Sequence, residues 1–483
     1  MGSNPAKDTT HFCVLLKLEL VVGFLRFLPI QSKRFSWIKG GLALAFCWNL
    51  QGLELETYSP PGDDLGPNMK QLENMEDRKF ADTQGHALGL ADLIKNADNN
   101  YSLQAARLQV RQALKNHAIA KAKFLPTLSS NYTYNHRNRN TPFYPEYDMQ
   151  LLNTNLKLNV FNGFSDVNNV KEKSASYRSS SANMEYTKQS IYLQVVQQYY
   201  QYFNNMAQLA ASKKKLAELR SDIERTRQLF EQGLTTADNL ESAKAQGALS
   251  ENDITQMEFD IEQNRLTLEY LTNSKIPSLK RTTLLSPTLS LKERADLRAL
   301  REQITAIHYQ NKQLNYYPTV DVNDDWQYYI QKPAFARGSD NRFGNLFPNQ
   351  QNTVGVVVTL NILNDIGLNL QKQYLRLNQM AQEKNLMYKK MEQVKDVELY
   401  RKSLDMARSR IRSSEASLKS ANIAYESIKK KYNANLVDFT TYLRALRTRF
   451  DAEVIYNQSL NNYEMQKANY IFYSGHHIQD YVR

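Results

Sequence analysis

A turn between long helices is written twice in this chain of 483 residues, as Phe230-Glu231-Gln232-Gly233-Leu234 and as Tyr432-Asn433-Ala434-Asn435-Leu436, with matched positions 202 residues apart. Leu158-Asn159-Val160-Phe161 falls at the same offset on Leu360-Asn361-Ile362-Leu363, each closing an alternating run and opening a helix. A third pair, Phe124-Leu125-Pro126-Thr127-Leu128 and Tyr316-Tyr317-Pro318-Thr319-Val320, recurs at 192, so an insertion of about ten residues separates the copies. Self-similarity over this length marks a fused duplication and not a short solenoid repeat.

Proline and glycine are distributed so unevenly that each half must contain very long helices. No Pro lies between Pro145 and Pro277 and none follows Pro348; only Gly233 and Gly247 interrupt Gly163 to Pro277, and no Gly lies between Gly367 and Gly475. Such tracts sustain helices far beyond the usual three or four turns. In the first, Val167, Val170, Tyr177, Met184, Ile191, Val195, Tyr202, Met206, Leu209, Leu216, Leu219 and Ile223 recur at helical spacing. In the second, Leu404, Ala407, Ile411, Ser414, Leu418, Ala421, Tyr425, Ile428 and Tyr432 alternate steps of three and four without a slip, as a coiled-coil seam does. Gly163 to Phe230 and Gly367 to Tyr432 each span about 66 residues, near 100 Å at about 1.5 Å per residue. Partner helices are expected over 237–273 and 437–473, and shorter ones over 88–124 and 290–316.

Four runs alternate with period two, the pattern of strands whose faces meet different surroundings. Leu128, Tyr132 and Tyr134 oppose Ser129, Asn131, Thr133 and Asn135; Leu152, Leu156, Leu158 and Val160 oppose Asn153, Asn155, Lys157 and Asn159. Val320, Val322, Trp326, Tyr328 and Ile330 oppose Asp321, Asn323, Asp325 and Gln327, with Asp324 breaking the pattern; Val354, Val356, Val358, Leu360 and Ile362 oppose Thr353, Gly355, Thr359 and Asn361. The strands are expected at about 126–136, 150–162, 318–331 and 353–363. Their lengths suit a tilted bilayer strand, Tyr and Trp cluster near their ends, and the second face is polar as a wet lumen would be. A half-buried soluble sheet gives the same periodicity. Four strands cannot close a barrel, and an open edge in lipid leaves backbone groups unsatisfied. Strands of this kind in a membrane require an oligomer.

The formal charge of +12 invites a nucleic-acid reading, but Lys and Arg are interleaved with Glu and Asp along the helices, so no nucleic-acid partner is expected. Residues 1–52 read as a leader that processing removes: Lys33, Arg34 and Lys39 precede the short apolar run Leu42-Ala43-Leu44-Ala45-Phe46-Cys47. The only cysteines, Cys13 and Cys47, lie there, so a processed chain has none and forms no disulfide. Cys47 stands as the acylated Cys of a lipoprotein does, although Phe46 occupies a place that calls for a small residue. The remainder divides into 53–289, an N-terminal segment with the first repeat, and 290–483, the second repeat with a short tail.

In the order of its elements the chain resembles the TolC family of bacterial outer-membrane efflux proteins. The resemblance covers about residues 85–475 and rests on both repeats, the Pro-led strands, the Asn162-Gly163-Phe164 helix opening and the two helix-turn-helix tips. It implies a mostly α fold with a small β part: long antiparallel coiled-coil helices in an α-barrel, plus four strands contributed to an oligomeric transmembrane β-barrel. It further implies a homotrimer in the cell outer membrane with a periplasmic extension. Such a tube conducts passively, taking drugs, metals or polypeptides from an inner-membrane pump of RND or ABC type through a periplasmic adaptor (membrane fusion) protein. The resemblance assigns adaptor contacts to the tips, here Phe230, Gly233, Leu234, Tyr432, Asn435 and Leu436; ordinary helix-turn chemistry accounts for the same residues. Asn435 replaces Gly in the second copy, which is tolerable because Asn also visits the left-handed region.

The tunnel entrance departs from the family pattern. Where acidic residues are common, this chain holds Asn239, Thr441 and Arg444, with Asp238 and Asp438 out of register. Arg444 pointing inward would set a positive constriction in a trimer; pointing outward it is a surface charge. Lys429, Lys430 and Lys431 are either a contact for an acidic adaptor surface or a solvated face.

No catalytic constellation is present. His117, His136 and His308 are scattered, His476 and His477 stand near the C-terminus without an evident carboxylate partner, and no nucleophile elbow, phosphate loop or nucleotide fingerprint occurs. No enzyme activity, metal or cofactor is expected. The loops 136–150 and 331–352 each join two strands. The rival reading is a soluble coiled-coil scaffold whose alternating runs form a small packed sheet.

Overall fold

The computed structural model describes residues 87–138, 147–287, 290–332, 348–360, 365–434 and 436–482. The chain divides into two units, Met1–Asp82 and Thr83–Arg483, and every described residue belongs to the second. The expected leader with Cys13 and Cys47, the turn residue Asn435 and the central parts of both strand-joining loops lie outside the described residues.

The elements run α1 (Leu90–Ala97), α2 (Tyr101–Ala122), β1 (Thr127–Arg137), β2 (Tyr147–Asn162), α3 (Ser165–Glu231), α4 (Ala237–Thr272), α5 (Ala295–Gln313), β3 (Thr319–Gln331), β4 (Gln350–Thr359), α6 (Asp365–Asn433) and α7 (Phe439–Tyr473), with a closing 3-10 turn, Ile478–Tyr481. The single helix expected over 88–124 is broken. Asn100 ends α1 and caps α2: its side-chain oxygen accepts from the Ser102 amide at 2.8 Å, and its amide donates to the Leu271 carbonyl at 2.9 Å. A buried Asn offered a backbone acceptor favours the cap over continued helix.

The four strands form one antiparallel sheet in the order β1-β2-β3-β4. Its register puts like with like. Leu128 pairs Leu156, Leu158 pairs Val322 and Val322 pairs Val356 on one face; Ser129 pairs Asn155 and Asn155 pairs Asp325 on the other. Because side-chain direction has period two, this register gathers the apolar residues of four strands on one face and the polar ones on the other. The strand–helix junction is aromatic. Phe161 and Phe164 meet edge to face at 5.2 Å, and Phe164 meets Tyr317 at 6.1 Å. Gly163, at φ +54, is obligatory there, because a Cβ would stand 2.1 Å from the Asn315 side-chain oxygen.

Each strand continues into a helix, so the sheet order is repeated below it. In the strand half the helices lie side by side as α2-α3-α5-α6, and in the tip half as α4-α3-α7-α6. This order explains a departure from the expected seam on α3. Tyr192, Tyr199 and Tyr200 are buried beside Ile191 and Val195, whereas Met206 is exposed. A helix wedged between neighbours on both flanks buries a broad face instead of a single stripe. On α6, which has neighbours on one flank only, Leu404, Ala407, Ser414, Ala421, Tyr425 and Tyr432 are all buried, as a simple seam requires.

A belt of irregular chain clasps the helices midway. The Tyr200 hydroxyl donates to the Thr282 carbonyl at 2.9 Å, the Leu88 amide to Ser278 at 3.0 Å, and the Leu285 amide to Tyr481 at 2.9 Å. Lys467, buried with Glu464 at 2.8 Å, donates to the Leu284 carbonyl, while Glu464 accepts the Leu284 amide. These side-chain partners satisfy backbone groups that no ladder could reach. Among the described residues no helix is long and apolar enough to cross a membrane.

Candidate functional site

Two regions gather exposed apolar, charged and hydrogen-bonding side chains: the tips, where paired helices turn, and the polar face of the sheet. At the first tip the Leu234 amide donates to the Leu229 carbonyl at 2.8 Å and the Gly233 amide to Phe230 at 2.9 Å. This is the six-to-one closure that ends a helix with a left-handed residue, supplied by Gly233 at φ +71. At the second tip the Leu436 amide donates to the Lys431 carbonyl at 2.9 Å, the same bond 202 positions on. The closing bond of the turn is therefore duplicated.

The side chains are not. Phe230 is 42% exposed, whereas Tyr432, its match in the second copy, is 8% exposed. Tyr432 stacks on Tyr442 at 4.6 Å and 9°, touches Phe439 at 6.0 Å, and lies under the Arg225 guanidinium at 4.8 Å. Leu234 and Leu436 project at 70% and 74% exposure. Of the tip residues that the resemblance assigns to adaptor contacts, Phe230, Leu234 and Leu436 are exposed, whereas Tyr432 belongs to an aromatic core between α3, α6 and α7.

Around that core lie charges of which sequence reading singled out only Lys429. The Glu218 carboxylate takes the Tyr425 hydroxyl, the Arg449 guanidinium at 3.0 Å and, at 4.0 Å, the Lys429 ammonium. Lys429 also stands over the Tyr425 ring at 5.3 Å, so it is held within the chain, while Lys430 and Lys431 remain exposed. Half-buried Asp222 is pushed above the usual carboxylate range by burial, opposed by the Tyr442 hydroxyl. Burial in turn drives the Tyr442 hydroxyl upward. Asp222 and Glu218 lie four residues apart on α3, but only spatial proximity to α6 and α7 gives them partners, which no linear pattern reveals.

Among the residues expected to border an entrance, the half-buried Asn239 donates to the Thr235 hydroxyl at 3.2 Å, and the Thr441 hydroxyl donates to the Asp438 carboxylate. That bond lowers the Asp438 carboxyl, and the Thr236 hydroxyl lowers Asp238 in the same way. Both acids sit at helix starts, where exposed amides favour the anion. Arg444 is exposed and forms no ion pair among the described residues. It lies on the solvent side of α7, opposite Tyr442 and Leu446.

On the polar face of the sheet, Asn155 donates to Asp325 at 2.5 Å and Asn159 to Asp321 at 2.9 Å, and Lys157 approaches Asp321 at 3.9 Å. The face is thus a network of amides, hydroxyls and carboxylates. Asp324 sits on the opposite face between Leu156 and Val354, with a buried oxygen that has no hydrogen-bond partner.

The two histidines near the C-terminus have partners within the chain. His477 pairs with Glu185 at 2.9 Å, a carboxylate partner that sequence reading missed because it lies 292 residues away. His476 is buried against Ser290 at 2.9 Å, and burial lowers its basicity. Among the described residues no group of His, Cys, Asp and Glu could hold a metal ion.

A two-layered element order of this kind, strands feeding long helices that turn back at two tips, defines the fold of the TolC-like outer-membrane channels. Residues 94–274 match the family model described as outer membrane efflux protein. Among solved structures, CusC matches with a TM-score of 0.72 at 15% identity, covering 82% of this chain and 96% of that one. VceC from Vibrio cholerae matches at 0.70 and 18% identity over 80% and 96% of the two chains. The CmeC channel of Campylobacter jejuni matches at 0.69 and 17% identity over 93% of each. No curated protein matches. The mostly helical fold with four antiparallel strands is the one that the sequence resemblance implied.

Proposed function

We propose that this protein is an outer-membrane channel-tunnel: the passive exit duct of a tripartite efflux or type I secretion system. The observation that carries the reading is a sheet with one apolar and one polar face and two open edges, each strand continuing into a helix of an elongated wall. An apolar outer face suits lipid, a polar inner face suits water, and open edges call for more copies. Three copies give twelve strands, enough to close. Exposed apolar side chains point the same way, because they concentrate on the edge helices: Leu108 and Ile119 on α2, Phe259 and Tyr270 on α4, and Leu370, Tyr374 and Met391 on α6.

The protein is then a homotrimer in the outer membrane, its helices forming a periplasmic tunnel that meets a periplasmic adaptor protein and, through it, an inner-membrane pump of RND or ABC class. Phe230, Leu234 and Leu436 are the exposed tip contacts for the adaptor; Asn239, Thr441 and Arg444 border the entrance. No bond is made or broken, and no cofactor is needed. The matched structures are channels, which does not favour the soluble scaffold.

Purified protein in planar bilayers should show discrete single-channel steps. Replacing Arg444 by Glu should shift ion selectivity towards cations; unchanged selectivity removes Arg444 from the entrance. Absence of any conductance from protein that has entered the bilayer overturns the channel reading.

A further inference from the structure

The apolar face of the sheet changes character along its height. Towards the helices it is aliphatic, with Leu156 and Leu158 on β2, Val322 on β3 and Val354, Val356 and Val358 on β4. Towards the loops the next row across the strands is Ser130, Thr154, Trp326 and Asn352, and the row after it brings Tyr132 and Tyr328. Trp326 and Tyr328 lie parallel, 5.9 Å apart at 11°. The Ser130 and Thr154 hydroxyls meet at 3.0 Å, and Asn352 is exposed. In the last aliphatic row, between Leu156 and Val354, stands Asp324, and no described residue donates to its buried Oδ1.

In the channel reading this face meets lipid and the loop end of the strands lies outside the cell. Tyr317 at the strand–helix junction and Trp326 are nine residues apart, about 30 Å along a strand and about 23 Å across a bilayer at a tilt of about 40°. Aromatic side chains at these two heights mark the two interfaces. Asp324, two residues inward from Trp326, is then about 5 Å below the outer one, where headgroups give way to chains. A lone carboxylate facing lipid is unfavourable, and such groups persist where a partner meets them. That partner has to bring an O–H or N–H, because an ionised carboxylate only accepts. A phosphate would find no cation here, since Arg137 and Lys157, the Arg and Lys of the four strands, stand in the register of the polar face. Parallel aromatic rings beside amide and hydroxyl groups instead suit a sugar, which has an apolar C–H face and a rim of donors and acceptors.

Resting on the channel reading above, we propose that this patch binds the sugar headgroup of an outer-leaflet glycolipid. The ring packs against Trp326 and Tyr328, a hydroxyl or amide N–H of the headgroup donates to Asp324, and Asn352 completes the rim. Because β3 is an inner strand of the sheet, its outward face stays open to lipid when copies join at the edges. Each copy carries one such site.

Indole fluorescence tests the site. In the full chain with Trp37 and Trp48 replaced by Phe, Trp326 is the sole Trp. This protein is reconstituted in phosphatidylcholine vesicles and titrated with monophosphoryl lipid A, an acylated glucosamine disaccharide; phosphatidylethanolamine and phosphatidylglycerol serve as comparisons. Trp326 emission should shift at a several-fold lower fraction of the glycolipid than of either phospholipid. Asp324→Leu, which keeps the face apolar, should abolish that preference. Asn352→Val should reduce it several-fold, and Val356→Leu, in the aliphatic half, should leave it unchanged. In preparations that conduct, an equal response to a phospholipid, or a preference that survives both Asp324→Leu and Asn352→Val, overturns the site and leaves the channel reading intact. A stronger response to phosphatidylethanolamine makes an ammonium the donor and overturns the sugar. Parent protein that neither inserts nor conducts overturns both readings.

Discussion

The two tips share one closing bond and meet two fates. Leu234 on Leu229 and Leu436 on Lys431 are the same helix-ending bond. Yet Phe230 stands in solvent while Tyr432 is sandwiched among Tyr442, Phe439 and Arg225. Duplication preserves what the turn's geometry demands, because the closure bond is local. It leaves side-chain burial free to diverge, because that depends on neighbours. Here α7 lies between α3 and α6 and supplies Phe439 and Tyr442, whereas the first tip sits at an edge of the chain beside α4. The first tip thus presents its aromatic and the second packs it as an anchor, while Leu234 and Leu436 project from both.

The contrast can be broken by substitution. Tyr432→Ala should be the costliest change, on the order of 3 kcal/mol, since it removes a buried aromatic and leaves a cavity. Hydrogen exchange should show the amides near 425–446 losing protection while those near 225–240 keep it. Equal loss at both tips would contradict the division into anchor and presenting surface. Gly233→Ala should cost about 1 kcal/mol, purely from the left-handed backbone, because nothing lies within 4 Å of the added Cβ. Its effect should be confined to the first tip.

A pH-dependent effect sharpens the picture of the anchor. Burial raises the Asp222 carboxyl above its unfolded value. Whatever stability this group contributes is fully present below the unfolded carboxylate range and is lost as pH rises through the folded value. Asp222→Asn should therefore match the parent in acid and protect the second tip better at neutral pH, as read by exchange rates at both pH values. A variant less protected at neutral pH would show that the carboxylate is held by favourable contacts instead. Phe230→Ala should be the mildest change, within about 0.5 kcal/mol as for other exposed positions, and its consequence should appear in adaptor binding and not in folding.

Much of the fold was legible because its signals are periodic. The seam from Leu404 to Tyr432 and the alternation in four strands follow from spacing alone, and the repeated turn shows at a fixed offset. Less was legible where partners are distant in sequence. Asn100 breaks an expected helix by bonding Leu271, and His477 finds Glu185; neither has a local mark. The belt formed by 274–287 and the C-terminal tail is held by Tyr199, Tyr200 and Glu464, residues that read as ordinary helix positions. At the candidate site the turns were visible, but the burial of Tyr432 was not. The same matched aromatic occurs in both copies, and only the third helix beside one of them decides its exposure.

The account rests on edges that one chain leaves open and further copies close. The mass of the detergent-extracted protein, measured with bound detergent subtracted, tests this most directly. Three chains per particle, solubilised only with detergent, is the result expected. A single chain that stays dissolved without any amphiphile would contradict it.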